Sequence, residues 1–116
     1  LIGLFCSVNQ LTSIDVSNSS FLIYLLLDYN QLAILDVSNN TSPTHLDFYE
    51  SQLTFNDLNQ NNDLIELRCG FNLLTSLDLS QNTSLEHLYC QNNQLSNLDL
   101  SNNTALDTLY CYYYSV

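Results

Sequence analysis

Apolar side chains recur along this chain at spacings of three, two, five, three, two and six residues before the pattern begins again. Leu64, Leu67, Cys69, Leu74, Leu77 and Leu79 return as Leu85, Leu88, Cys90, Leu95, Leu98 and Leu100. Polar residues keep the same 21-residue period, with Asn72, Asp78, Ser80 and Asn82 answered by Asn93, Asp99, Ser101 and Asn103. The frame runs without insertion over the whole chain as repeats 1–21, 22–42, 43–63, 64–84 and 85–105, then a half repeat 106–116. A unit this short cannot bury its own apolar face, so 1–116 is expected to form one solenoid of stacked coils. Each residue thus has a position, 1 to 21, within its repeat.

Each half of the repeat predicts one short strand. In His87-Leu88-Tyr89-Cys90-Gln91 the alternation sends Leu88 and Cys90 inward and the other three outward; in Asn97-Leu98-Asp99-Leu100-Ser101 it buries Leu98 and Leu100. Stacking then predicts two narrow parallel sheets. Asn9, Asn30, Asn72 and Asn93 form one turn column, and Asn40, Asn61, Asn82 and Asn103 another. Asparagine can donate and accept at once, so each is expected to close its bend and bond to the next coil. With only two glycines and one proline in the chain, asparagine is also expected to supply the unusual backbone conformations.

The string Leu-x-x-Leu-x-Leu/Cys-x-x-Asn-x-Leu resembles the leucine-rich repeat family. The resemblance is to the short 21-residue bacterial class in particular, where it alternates with Leu-x-x-Leu-Asp-Leu-x-x-Asn, as in cell-surface proteins of Bacteroidetes-like organisms. It covers essentially the whole chain. It implies a mainly β leucine-rich-repeat solenoid of about 5.5 coils with Asn-rich turns. It further implies a secreted or surface-exposed, non-enzymatic module for protein or glycan recognition, adhesion or scaffolding. It does not name a ligand.

Charge narrows the choice of partner. One cation, Arg68, faces twelve carboxylates, for a net charge of −11. Nucleic acids and acidic membrane surfaces are repelled by such a field, whereas cationic proteins, neutral glycans and metal ions are not. The longest apolar run, Phe21 to Leu27, is far too short to span a bilayer. Cys6, Cys69, Cys90 and Cys111 all fall at position 6, a column completed by Leu27 and Phe48. That column is apolar and inward, so free buried thiols are expected rather than disulfides.

Repeat three departs from the pattern. Pro43 replaces the opening Leu, Ser51 the ladder Asn, and Asn56 stands where other coils carry Ile14, Leu35, Leu77 and Leu98. A buried amide there is unfavourable unless Phe55 shifts to cover it. Either the repeat has decayed, or the break re-aims side chains at a ligand.

Three constellations are candidate sites. Asp15, Asp36, Asp57, Asp78 and Asp99 form a row at position 15 with Ser17, Ser38, Ser80 and Ser101 two residues on. Calcium suits such oxygens, and the alternative is carboxylates bonded locally and solvated. His45, Glu66 and His87 occupy position 3 of successive coils with Asp47 nearby, a donor set for zinc or copper if the side chains converge. Large side chains gather toward the ends of the first sheet: Phe5 and Leu26 at the start; Tyr89, Tyr110, Tyr112, Tyr113 and Tyr114 at the finish. They suit a protein interface, a stacking platform for sugars, or simply a place where bulk is tolerated.

No His lies near a Ser or Cys where both could face out together, the cysteines are expected to point inward, and no glycine-rich phosphate loop is present, so catalysis finds little support. Asn18, Asn39, Asn40, Asn82 and Asn102 head Asn-x-Ser/Thr triplets, and Thr108 lies in an Asp-Thr-Leu triplet resembling a bacterial O-glycosylation signal. The first and last coils carry no polar cap. Two readings follow: a recognition segment of a longer protein, or a subunit that continues head to tail into an extracellular filament.

Overall fold

The computed structural model describes residues 1–54 and 56–113. Among the described residues six strands start the successive coils: β1 (Gly3–Phe5), β2 (Tyr24–Leu26), β3 (His45–Asp47), β4 (Glu66–Arg68), β5 (His87–Tyr89) and β6 (Thr108–Tyr110). They form one parallel sheet in chain order. Each strand pairs with the next at equal repeat positions, Leu25 with Leu46, Leu46 with Leu67 and Leu67 with Leu88. The sequence period is therefore the sheet register. Among the described residues there is no helix.

Behind the sheet, the apolar columns read from the sequence become the core. Leu25, Leu46, Leu67 and Leu88 at position 4 are fully enclosed, as are Leu32, Leu53 and Leu74 at position 11. Each such leucine contributes about 1.5–3 kcal/mol relative to an exposed one. In the position-6 column Leu27, Phe48, Cys69 and Cys90 are buried. All four thiols are free: Cys6 is half-buried, and Cys111, with no described coil stacked upon it, is exposed. Burial pushes the Cys69 thiol well up and Cys90 to about 12, so both stay protonated and unreactive.

The second half of the coil differs from the expectation of a second sheet: among the described residues it holds no paired strand. Its backbone donors are used locally. Ser17, Ser38, Asn59, Ser80 and Ser101 give their amides to the carboxylate two residues earlier. The amides of Ser19, Asn40, Asn61, Asn82 and Asn103 bond to the carbonyl at position 16 of the same coil. A strand that has turned its N–H groups inward upon itself cannot ladder with its neighbour. Coil-to-coil backbone bonds persist at position 10, as in Gln52 to Leu32 and Leu73 to Leu53.

Both asparagine columns do bridge coils. Asn72 Nδ2 donates to the carbonyls of Phe48, one coil back, and Cys69, while its Oδ1 accepts from the Leu53 amide. Asn93 repeats the scheme with Cys69, Cys90 and Leu74. In the other column Asn61 donates to Val37 and Asn40, and Asn82 to Leu58 and Asn61. These amides satisfy carbonyls that would otherwise be stranded in the core.

Asparagine at those columns does not supply the unusual backbone, contrary to expectation. The left-handed residues are Val8, Tyr29, Glu50, Phe71 and Asn92, all at position 8, with φ between 52° and 56°. All five amides reach carbonyls at position 7 of the next coil: Val8 to Asp28, Tyr29 to Tyr49, Glu50 to Gly70, Phe71 to Gln91 and Asn92 to Tyr112. The inter-coil bond imposes the conformation whatever side chain is carried. Repeat three shows the breaks foreseen for it. Pro43 is buried in place of Leu. Ser51 Oγ and both amide atoms of Asn56 lie buried without a partner, and Phe55 falls outside the described residues.

Candidate interaction face

Positions 3 and 5 of each strand point away from the core, and positions 7 and 8 carry that face past the strand end. The rows are therefore rich in rings. Phe5, Tyr24 and His45 run diagonally across β1 to β3, with ring centroids 6.4 and 5.1 Å apart. Tyr29, Tyr49 and Phe71 continue beyond the strands at 6.0 and 5.2 Å. On β5 and β6, Tyr89 and Tyr110 stack at 5.2 Å with planes 12° apart, and Tyr112 meets Tyr110 edge-on.

Arg68, on the central strand β4, joins these groups. Its guanidinium carbon lies 5.1 Å from the Tyr89 ring centre and 5.9 Å from that of Tyr49. Its Nε is 3.3 Å from Asp47 Oδ2, and a terminal nitrogen is 3.8 Å from Glu66 Oε1. Planar stacking with carboxylates at the edge is the arrangement a guanidinium favours. Gly70 leaves room for Tyr49 to lie across the face: a Cβ there would come 2.9 Å from the Tyr49 ring and 3.0 Å from Gln91. Gln91, expected to face out, is instead buried beside it, its Nε2 3.5 Å from Tyr49 Oη.

Asp47 is the buried acid of this face. Desolvation pushes its carboxyl up to about 6 despite a hydrogen bond from the Tyr49 amide and the attraction of Arg68; Asp28 and Glu66 add repulsion. Asp28 itself accepts a hydrogen bond from Ser7 Oγ.

Asp15, Asp36, Asp57, Asp78 and Asp99 line the opposite side of the coil, all exposed. Hydroxyls of Ser17, Ser38, Ser80 and Ser101, then the amides of the same residues, hold Asp15, Asp36, Asp78 and Asp99 below the usual carboxylate range. Each carboxylate thus serves its own turn. The register sets His45, Glu66 and His87 abreast on β3, β4 and β5. They do not converge: His45 Nδ1 is 2.8 Å from Thr44 Oγ1, Glu66 turns toward Arg68, and His87 Nδ1 is buried without a partner. Among the described residues no three His, Cys, Asp or Glu side chains come together to hold a metal.

Of the aromatic set, Phe5, Tyr110, Tyr112 and Tyr113 are exposed and Leu26 and Tyr89 half-buried; Tyr114 lies outside the described residues. Sequence reasoning missed Tyr24, Tyr29, Tyr49 and Phe71 and so placed the rings at the ends only. The signal was present, since positions 7 and 8 follow the strand on the same face. Asn40 and Asn82 are corrected as glycan acceptors: both are fully buried with Nδ2 bonded to carbonyls of the preceding coil. Asn18, Asn39 and Asn102 are exposed, and Thr108 is half-buried in β6.

A family model of the LVIVD repeat matches residues 24–50, little more than one coil. Among curated proteins, none matches in sequence. Among solved structures, the functional domain of InlJ from Listeria monocytogenes, which includes a cysteine ladder, is 30% identical, with a TM-score of 0.56 over 97% of this chain. Internalin C2 from Listeria monocytogenes strain 4b F2365 is 25% identical, with a TM-score of 0.78 over 86% of this chain. The chain spans only 35% and 47% of the lengths of those two proteins. In fold, this chain is a repeat solenoid similar to those of internalins.

Proposed function

We propose that the chain is a non-enzymatic recognition module, acting outside the cell or at its surface, that binds a protein partner through the outward face of the sheet. The observation that carries this reading is Arg68, set between Tyr49 and Tyr89 in the middle of a run of rings from β1 to β6. Tyrosine and arginine side chains held in place by neighbours are what dominate binding energy at protein interfaces. The likeness to internalin solenoids supports the same reading. An acidic surface with one cation favours a basic partner.

The test is selection of a displayed random-peptide library on the purified chain. Binders should be lost on Arg68→Ala and Tyr89→Ser and kept on Asp36→Asn, which lies on the other side of the coil. Loss on Asp36→Asn alone, or binding of arrayed glycans with no peptide enriched, would overturn the proposal.

A further inference from the structure

Between β2, β3 and β4 the outward face carries a cavity of about 170 Å³, lined by Tyr24, Leu26, His45, Asp47, Glu66 and Arg68 with Leu46 beneath. We infer that this cavity takes one cationic side chain, a lysine or arginine, of a basic protein partner. The inference rests on the proposed recognition role and names what that face would grip.

Four observations point to this occupant. The volume falls below the roughly 300–1,000 Å³ of pockets that enclose a whole small ligand, so a single side chain is the right size. Charge inside is unbalanced: Asp47 and Glu66 share one guanidinium, and Asp28 stands near enough to repel Asp47. One wall is the side chain of Tyr24, its ring between those of Phe5 and His45, and together with Leu26 it offers apolar surface for the methylene stem. The Asp47 side chain is only 12% exposed, so a positive charge brought near it acts where water screens less than on the open surface. Its carboxyl, pushed up by that burial, is what a second cation would relieve. The groups facing Asp47 are Asp28 at the end of β2, His45 on its own strand, Glu66 and Arg68 on β4, and Tyr49 in the following turn.

The experiment titrates the intact chain with an acetylated, amidated Gly-Gly-Lys-Gly-Gly peptide and with its norleucine counterpart, following backbone amide shifts by NMR at pH 7.5. The lysine peptide should give saturable shifts at Tyr24, His45 and Glu66, and the norleucine peptide none. Glu66→Gln should weaken binding about fivefold, with the amides of β5 and β6 unmoved as proof of folding. Equal shifts with norleucine, or lysine shifts spread evenly along the Asp15, Asp36 and Asp78 row, would overturn the inference. Library peptides that map to Tyr89 and Tyr110 but leave this cavity untouched would sink it while sparing the broader recognition reading.

Discussion

Asn56→Leu should stabilise this protein more than any single surface change. Asn56 occupies a column whose neighbours one coil away are the buried Leu35 and Leu77, yet its Nδ2 and Oδ1 have no hydrogen-bond partner. A buried amide left unpaired costs about 1–3 kcal/mol, and enclosing a leucine side chain in its place contributes about 1.5–3 kcal/mol. Some of that sum is lost because leucine's branching must be accommodated by the flanking coils. A net gain of about 2–4 kcal/mol is expected, large against the roughly 5–15 kcal/mol that holds a typical domain together. The chain has no tryptophan and eight tyrosines, so urea unfolding is followed by tyrosine fluorescence and far-UV circular dichroism in parallel. With a slope of about 1–3 kcal/mol per molar urea, the midpoint should rise by at least about 0.7 M with the slope unchanged. The reciprocal change Leu35→Asn should lower it by a similar amount. An unchanged or lowered midpoint for Asn56→Leu would refute the reasoning, because it would mean the amide is satisfied in solution.

Four further outcomes are expected. Asn72→Ala strands the Phe48 carbonyl and the Leu53 amide, so it should destabilise by about 2 kcal/mol or more, whereas Asn9→Ala, at an exposed position whose side chain bonds only within its own coil, should stay within about 1 kcal/mol by the same urea assay. Asp47 holds its proton to about 6 in the folded chain against an ordinary 3.8, so stability should fall as pH rises from about 4 to 6; Asp47→Asn should flatten that window, and an unchanged pH profile would count against the buried acid. The lowered carboxyls of Asp15, Asp36, Asp78 and Asp99 act in the opposite sense at still lower pH, where their stabilising contribution is lost as they protonate. Under a thiol reagent at neutral pH, Cys111 should react first and Cys6 more slowly, while Cys69 and Cys90 wait for denaturant; rapid native labelling of four thiols would contradict the buried column.

The repeat frame was legible because each coil repeats the same burial problem. Six leucines at position 4 spell out one sheet, and the asparagine columns spell out where carbonyls need a donor. The missing second sheet was not legible. Leu98 and Leu100 alternate like a strand, but the Asp99 carboxylate captures the Ser101 amide, and alternation alone does not reveal which partner a backbone donor takes. The left-handed residue escaped for a related reason: valine and phenylalanine give no hint of positive φ, which comes from a bond to the next coil. The aromatic face was half legible. Its end tyrosines stood out as a cluster, whereas Tyr24, Tyr49 and Phe71 lie about one coil apart in sequence and meet only through the register.

The left-handed turn at position 8 separates the scaffold from what it displays. Valine, tyrosine, glutamate, phenylalanine and asparagine follow one another there with nearly the same φ, while position 4 next to the core accepts leucine every time. Because the turn is held by a main-chain bond, the residue that projects from it can be exchanged without consulting the apolar seam. A lineage carrying this coil can rewrite the rim beside its aromatic face one residue per coil. New partners become reachable by substitution, with the architecture inherited intact.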